Sequence, residues 1–300
     1  MPEPDLGRRT DRLVLLGLLA VTITLYLLLC HIPLYGDAWG YGYQSAVWMA
    51  DNGLQPIPAG SGRGQQAMGH PPLFFWLWAV LIKVLGGGLH VAHLLPAAAT
   101  FFALWGIYKL TLQLSRCRAT AIVAAAALLA TPIFLANSLN PLPDVAVAAS
   151  ATWTLLFYAR GRVGATALTA TLAVALREQA VLLPAVLLTI ELLKGGRRRP
   201  GRLLLLASPA VVLLLNGLAY LLVNGYFFFG THLGGPESVG RAVLIARFRS
   251  FFGFLFAGGW RWLPVTVAVA FVAGGHRRSS AAFVLLMLSP AVLFPPGRLL

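Results

Sequence analysis

The stretch LFFWLWAVLIKVL, residues 73–85, decides the fold, because whether it crosses the membrane sets the sidedness of everything after it. At 13 residues it is short for a transmembrane helix, which needs about 20 apolar residues. Its aromatic residues Phe74, Phe75, Trp76 and Trp78 follow a Pro-Pro pair, which suits a helix lying in the membrane interface. We therefore predict that residues 73–85 do not span the membrane.

The composition around this stretch is that of a membrane protein. Of the 300 residues, 58% are hydrophobic and only 11% are charged, whereas a soluble domain carries about 25% charged residues. The apolar runs are long and unbroken, which favours helices over a β-barrel. We predict an all-α polytopic membrane protein with a cytoplasmic tail at residues 1–12 and a single transmembrane domain at 13–300. Its nine spans are placed at 13–34, 91–114, 119–136, 145–159, 163–176, 180–193, 202–223, 262–275 and 280–294.

The basic residues orient these spans. The net charge of +14 would suggest nucleic acid in a soluble protein, but here the charges lie in short clusters between apolar runs, as topology determinants do. If residues 73–85 do not cross, every strong cluster falls in the cytoplasm. The clusters are Arg8, Arg9 and Arg12; Arg116 and Arg118; Arg160 and Arg162; the run 194–202; and His276, Arg277 and Arg278.

The acidic residues then gather on the other side, outside the cytoplasm. They are Asp37, Asp51, Asp144, Glu178 and Glu237. The first outer loop, residues 35–90, is the longest, and we expect it to be structured by interfacial helices, since loops that only connect are short. Carboxylates contribute little to topology, so their position predicts a shared external site.

Individual residues leave alternatives open. Asp37, beside Trp39 and Tyr41, suits either a helix N-cap or a catalytic base. Asp144 opens the fourth span, where a carboxylate also favours the helix dipole.

The Arg177-Glu178 pair lies between two apolar runs and is costly there unless it is paired or functional. We expect a phosphate or carboxylate partner for Arg177, or an ion pair at the membrane edge. We leave open a divalent cation held by Asp37, His70 and His232, because their spacing follows no closed metal motif.

Several motifs together resemble the protein-mannosyltransferase and aminoarabinose-transferase superfamily of GT-C membrane glycosyltransferases. That family carries an acidic DE pair in a large external loop and then a KPPLYYWL or HPPLYYWL run. Here Asp37-Ala38 stands at the first position and HPPLFFWL, residues 70–77, at the second. Asn-Pro-Leu-Pro-Asp, ending at Asp144, and Leu-Arg-Glu-Gln, residues 176–179, precede later spans in similar order.

The resemblance implies a GT-C-type helical bundle in the cell membrane or envelope, with its active site on the extracytoplasmic face. It implies an inverting transfer of a sugar, hexosyl or pentosyl, from a polyprenyl-phosphate donor to a glycan, lipid or protein acceptor. By resemblance Asp37 is the general base. We assign phosphate binding to Arg177 and acceptor or cation orientation to Asp144 and Glu178, while His70 and Tyr41 line the site.

Some residues depart from the family pattern. Ala38 replaces the second acid of the pair, and Gly69 stands where the aminoarabinose branch has a metal-binding Glu, which puts a metal and that substrate in doubt. The chain stops at Leu300, where members of the family continue, so we interpret it as a fragment or a short relative. Two alternatives stay open: a transporter or flippase of lipid-linked or small solutes, and a non-catalytic subunit on the same scaffold.

Overall fold

The structure, a computed structural model, describes residues 4–55, 71–193 and 200–224. These residues are helical and contain no β-strand. The α-helices of the described residues are α1 Pro4–Leu29, α2 Gln44–Asp51, α3 Leu73–Leu85, α4 Leu89–Ser115, α5 Arg118–Ala130, α6 Pro132–Leu139, α7 Pro143–Ala159, α8 Val163–Leu176, α9 Leu182–Leu193 and α10 Pro200–Asn224. A π-helical turn, Ala38–Tyr43, precedes α2, and a 3-10 turn, Glu178–Val181, precedes α9.

Three of the described helices are long and apolar enough to cross a membrane: Thr10–Leu29 of α1, α4, and Pro200–Ala219 of α10. They correspond to three of the predicted spans. The helices at the predicted spans 145–159, 163–176 and 180–193 are shorter than 18 residues, so their crossing stays a prediction. The predicted spans 262–275 and 280–294 lie outside the described residues.

The predicted span at 119–136 is broken. Helices α5 and α6 meet at an angle of 71°. The break falls at Thr131, which is extended, and Pro132 begins α6. The residue before a proline is pushed out of the helical region and proline donates no hydrogen bond, so the chain turns there. The pair is either one broken span or a re-entrant segment.

Helices α4 and α7 pack side by side and run parallel. Ala99 and Ala103 of α4 share a buried cluster with Val145 and Ala149 of α7. Further along, a Cβ at Gly106 would lie 3.1 Å from Thr152 on α7, so the backbones approach closely here. Small residues at such contacts are the usual means of packing helices in membranes.

Helix α3 is the segment whose crossing was in question. Its 13 residues rise about 20 Å, less than the roughly 30 Å of the hydrocarbon core. One face, including Phe74 and Trp78, is buried, and the helix packs against α2, α4 and α8. Its length agrees with a segment that does not cross, and its place in the membrane stays a prediction.

Ionic contacts mark one end of the bundle, which we call the basic end. Lys109 near the end of α4 donates a hydrogen bond of 2.8 Å to Asp11 of α1, and Arg118 at the start of α5 lies 3.5 Å from the same carboxylate. Where α7 finishes, Glu191 accepts hydrogen bonds from Tyr158 (2.7 Å) and Arg202 (3.0 Å). Each carboxylate thus ties three helices together.

The opposite end carries the end of α1 and the start of α4, and we call it the outer end after the predicted topology. There the Tyr26 hydroxyl donates to the His90 carbonyl at 3.1 Å, and the His93 ring lies 3.0 Å from the Ile32 carbonyl. The start of α7 and the end of α8 lie at this end as well, because α7 runs parallel to α4 and α8 returns beside it.

Candidate functional site

A buried ion pair at the outer end joins α7 to the segment after α8. The guanidinium Nη1 of Arg177 donates to Oδ1 of Asp144. Asp144 is 7% exposed and the neighbouring Glu178 is 5% exposed. Such burial of charge is tolerated when charges are paired and hydrogen-bonded. The carboxylate partner expected for Arg177 is therefore Asp144, across an interhelical contact.

Local sequence explains how these side chains reach each other. Pro143 occupies the first turn of α7, where its missing N–H is harmless, and Asp144 follows at the positive end of the helix dipole. Arg177 ends α8 in an extended conformation, so its side chain leaves the helix axis. Glu178 then begins the 3-10 turn that leads into α9.

Further buried polar atoms lie close to this pair along the chain. Within the described residues, Nε of Arg177, Oδ1 of Asn140 and Oε1 of Gln179 have no hydrogen-bond partner. We call Asn140, Asp144, Arg177, Glu178 and Gln179 the polar cluster. A buried polar atom without a partner costs about 1–3 kcal/mol, so atoms of this kind fit a site that a polar ligand or water completes.

The charge of the polar cluster limits what it binds. With both carboxylates ionised it holds two negative charges and one positive, a formal net charge of −1. Such a site suits hydroxyl groups or a cation, and a phosphate is accommodated only at the guanidinium. Arg177 retains Nε for that purpose, since Asp144 engages Nη1.

Asp37 lies in a separate segment at the outer end, eight residues after α1 ends at Leu29. It is partly exposed and directly precedes the π-helical turn. Short π-helical turns are rare and are often found at functional sites. The helical start expected after Asp37 is therefore present, in the π form instead of the α form.

Close packing holds the π-helical turn against α3. A Cβ at Gly42 would lie 2.9 Å from Trp78 and 3.4 Å from Phe75, so a larger residue fits only if the Trp78 side chain shifts. Trp39 stacks on Tyr43, with ring centroids 5.7 Å apart, and Tyr43 in turn contacts Trp78. Since α3 also packs against α8, it connects the Asp37 segment to the helix that Arg177 terminates.

Only some of the remaining predicted site residues lie in the part of the chain that the structure describes. Asp51 ends α2 and is exposed. His70, His232 and Glu237 lie outside the described residues, as does the side chain of Tyr41. No group of three or more His, Cys, Asp or Glu side chains suited to a metal occurs within residues 4–55, 71–193 and 200–224. The convergence of Asp37 with Asp144 and Glu178 stays a prediction.

Sequence reasoning missed two members of the polar cluster. Asn140 is 6% exposed and Gln179 is partly buried; both stand in the quoted motifs, but neither was assigned a role. The available signal was their position between apolar runs: Gln179 directly follows Glu178, and Asn140 lies four residues before Asp144. Polar groups at such depth are expensive and therefore point to function or pairing.

Comparison with known proteins supports the resemblance. Residues 69–216 match the family described as dolichyl-phosphate-mannose-protein mannosyltransferase. Neither the comparison with curated proteins nor that with solved structures gave a match. The matched range contains α3 to most of α10 and the whole polar cluster. Over these residues, just under half of the chain, the sequence is thus similar to that family, which suggests a membrane glycosyltransferase.

Proposed function

We propose that this chain transfers a sugar from a polyprenyl-phosphate donor to an acceptor on the extracytoplasmic membrane face, with inversion at the anomeric carbon. The observation that carries the proposal is the family match over residues 69–216, which encloses the buried polar cluster. The donor stores its energy in the glycosyl-phosphate bond, so no nucleotide is needed at that face. The acceptor is a glycan, a lipid or a protein.

Asp37 is the proposed general base. An acceptor hydroxyl must lose a proton as it attacks the anomeric carbon, and a partly exposed carboxylate next to the π-helical turn can accept that proton. An inverting reaction needs one base and an in-line attack, without a covalent intermediate. The absence of a second acid at Ala38 is compatible with this scheme.

The polar cluster has the complementary role of binding the donor phosphate and the sugar hydroxyls. The Nε of Arg177 donates to the donor phosphate, and Glu178 and the amide oxygens accept hydrogen bonds from sugar hydroxyls. Asp144 keeps Arg177 in place and reduces its charge, so that the spent polyprenyl phosphate is not held too tightly. A cation at the carboxylates would supply further charge for the leaving phosphate.

The test is the Asp37→Asn variant, produced at the wild-type level in cells that lack the native gene. We expect the glycolipid or glycoprotein product, compared by mass spectrometry, to fall by about 100-fold or more, the usual scale of general-base catalysis. Asp51→Asn is the matched control, because Asp51 is an exposed carboxylate of the same predicted external loop. It should leave the product unchanged.

Full transfer by Asp37→Asn would contradict the base assignment. A transporter or a non-catalytic subunit predicts that outcome, since neither needs a base. Loss in both variants would instead show that any charge change in the loop disrupts the protein, and the proposal would lose its support.

A further inference from the structure

A cavity of about 250 Å³ adjoins α3, α8 and α10. It is lined by Met49, Pro72, Leu73, Trp76, Ala175 and Asn216. Five of these side chains are apolar and one is an amide. Its walls therefore suit a hydrocarbon chain, with one place for a polar atom.

Asn216 is the unusual member of this lining. It interrupts the apolar run of α10 between Leu215 and Gly217. In the part of the chain that the structure describes, its side-chain amide has no hydrogen-bond partner. An amide at membrane depth without a partner is costly, so it is expected to face a ligand or water in the cavity.

The level of Asn216 agrees with that of the polar cluster. It lies 16 residues after Pro200, at about 24 Å along α10, close to the far side of a hydrocarbon core roughly 30 Å thick. On α8, the lining residue Ala175 stands two positions before Arg177. A ligand in the cavity would thus hold its polar head near the outer end and its apolar part below.

We propose that Asn216 is a positioning residue, whose amide N–H₂ donates a hydrogen bond to a phosphate oxygen of a polyprenyl phosphate whose first isoprene units fill this cavity. The inference rests on the proposed function, because it deepens the donor site. It adds a neutral donor to the cationic contact of Arg177, on a different helix. Two donors from separate helices fix the direction of the phosphate, which a single flexible side chain does not.

A ligand-binding assay tests this inference without requiring the protein to transfer a sugar. Purified protein in lipid nanodiscs is titrated with a polyprenyl phosphate, and with the matching polyprenol, while tryptophan fluorescence is recorded. Trp76 lines the cavity and is 41% exposed, so an arriving chain changes its signal, and a Trp76→Phe variant identifies that part of the signal. Asn216→Leu removes the amide and keeps a similar volume. It should weaken polyprenyl phosphate binding about tenfold and leave polyprenol binding unchanged.

Asn137→Leu is the matched control. The Asn137 amide donates to the Ile133 carbonyl of its own helix at 2.8 Å, so the same substitution there should not alter either affinity. In a transfer assay, Asn216→Leu should raise the KM for the donor about tenfold with kcat little changed. The melting temperature of the variant should match that of the wild type.

Three results would overturn the inference. Equal affinity of the wild type and Asn216→Leu for polyprenyl phosphate would show that Asn216 makes no hydrogen bond to the phosphate. If Asn216→Leu loses affinity for polyprenyl phosphate and for polyprenol to the same extent, Asn216 contributes only to packing. If phosphatidylglycerol competes for the cavity as strongly as polyprenyl phosphate does, the cavity binds ordinary phospholipid. If the binding difference holds while no sugar is transferred, the inference stands and the proposed function fails.

Discussion

Breaking the ion pair between Asp144 and Arg177 should separate the structural role of the polar cluster from its binding role. The side chains of Arg177 and Asp144 are only 15% and 9% exposed. Replacing Asp144 by Leu leaves the guanidinium buried with neither its carboxylate nor a partner for Nε. Since water reaches this site poorly, the lost interaction is not replaced by solvation.

The expected cost follows from that burial. Opposite charges about 4 Å apart attract by about 4 kcal/mol at the effective dielectric constant of such a site. Removing one member of a buried pair typically costs about 3–5 kcal/mol. For a protein of this size that loss lowers the melting temperature by roughly 6–20 °C. Replacing both residues, as in Asp144→Leu with Arg177→Met, removes both desolvated charges and should restore most of the stability.

The assay is thermal unfolding of purified wild type, both single variants and the double variant in one detergent, followed by tryptophan fluorescence. A double-mutant cycle then gives the coupling free energy. Arg118→Met is the control, because that side chain is 47% exposed and its contact with Asp11 should contribute less than about 1 kcal/mol.

The ion pair does not stabilise the fold if both single variants have the melting temperature of the wild type, or if the double variant melts at as low a temperature as the less stable single variant. A double variant that is stable but inactive would show that the cluster also binds substrate.

Two shorter predictions concern packing and sidedness. Gly42→Ala places a methyl group 2.9 Å from Trp78, so the variant should lose about 1–3 kcal/mol of stability, measured by thermal unfolding; an unchanged melting temperature would show that the π-helical turn does not pack there. Cys117 is exposed, and a hydrogen bond with the Thr120 side chain lowers the pKa of its thiol, so an impermeant maleimide should label it only from the cytoplasmic side, while buried Cys30 stays unlabelled. Labelling of Cys117 in intact cells would reverse the predicted topology.

Sequence reasoning succeeded where charges bracket an apolar run. The predicted run 163–176 coincides with α8, because Arg162 and Arg177 end it on both sides. It was less accurate where local chemistry changes inside a run. The predicted span 119–136 breaks at Thr131 and Pro132, where proline's effect on the backbone outweighs continuous hydrophobicity.

Tertiary contacts explain what the sequence alone did not resolve. A carboxylate or phosphate partner for Arg177 was expected, but choosing Asp144, 33 residues away, depends on how α7 and α8 pack. The π form of Ala38–Tyr43 has no local signature and goes with the fit of Gly42 against Trp78. The proposed role of Asn216 depends on the cavity beside it, which forms only when α10 packs near α3 and α8.

The two carboxylates of the basic end, Asp11 and Glu191, differ in how soon after them the ribosome synthesises their partners. Glu191 and Arg202 are 11 residues apart, so α9 and α10 can lock as a hairpin when both have left the ribosome. Asp11 and Lys109 are 98 residues apart, a delay of about 5–20 s at ordinary rates of synthesis. During that interval Asp11 lacks its hydrogen-bond partners on α4, and the arrival of α4 should fix the rotation of α1. We therefore expect the rotation of α1 to be fixed later than the pairing of α9 with α10.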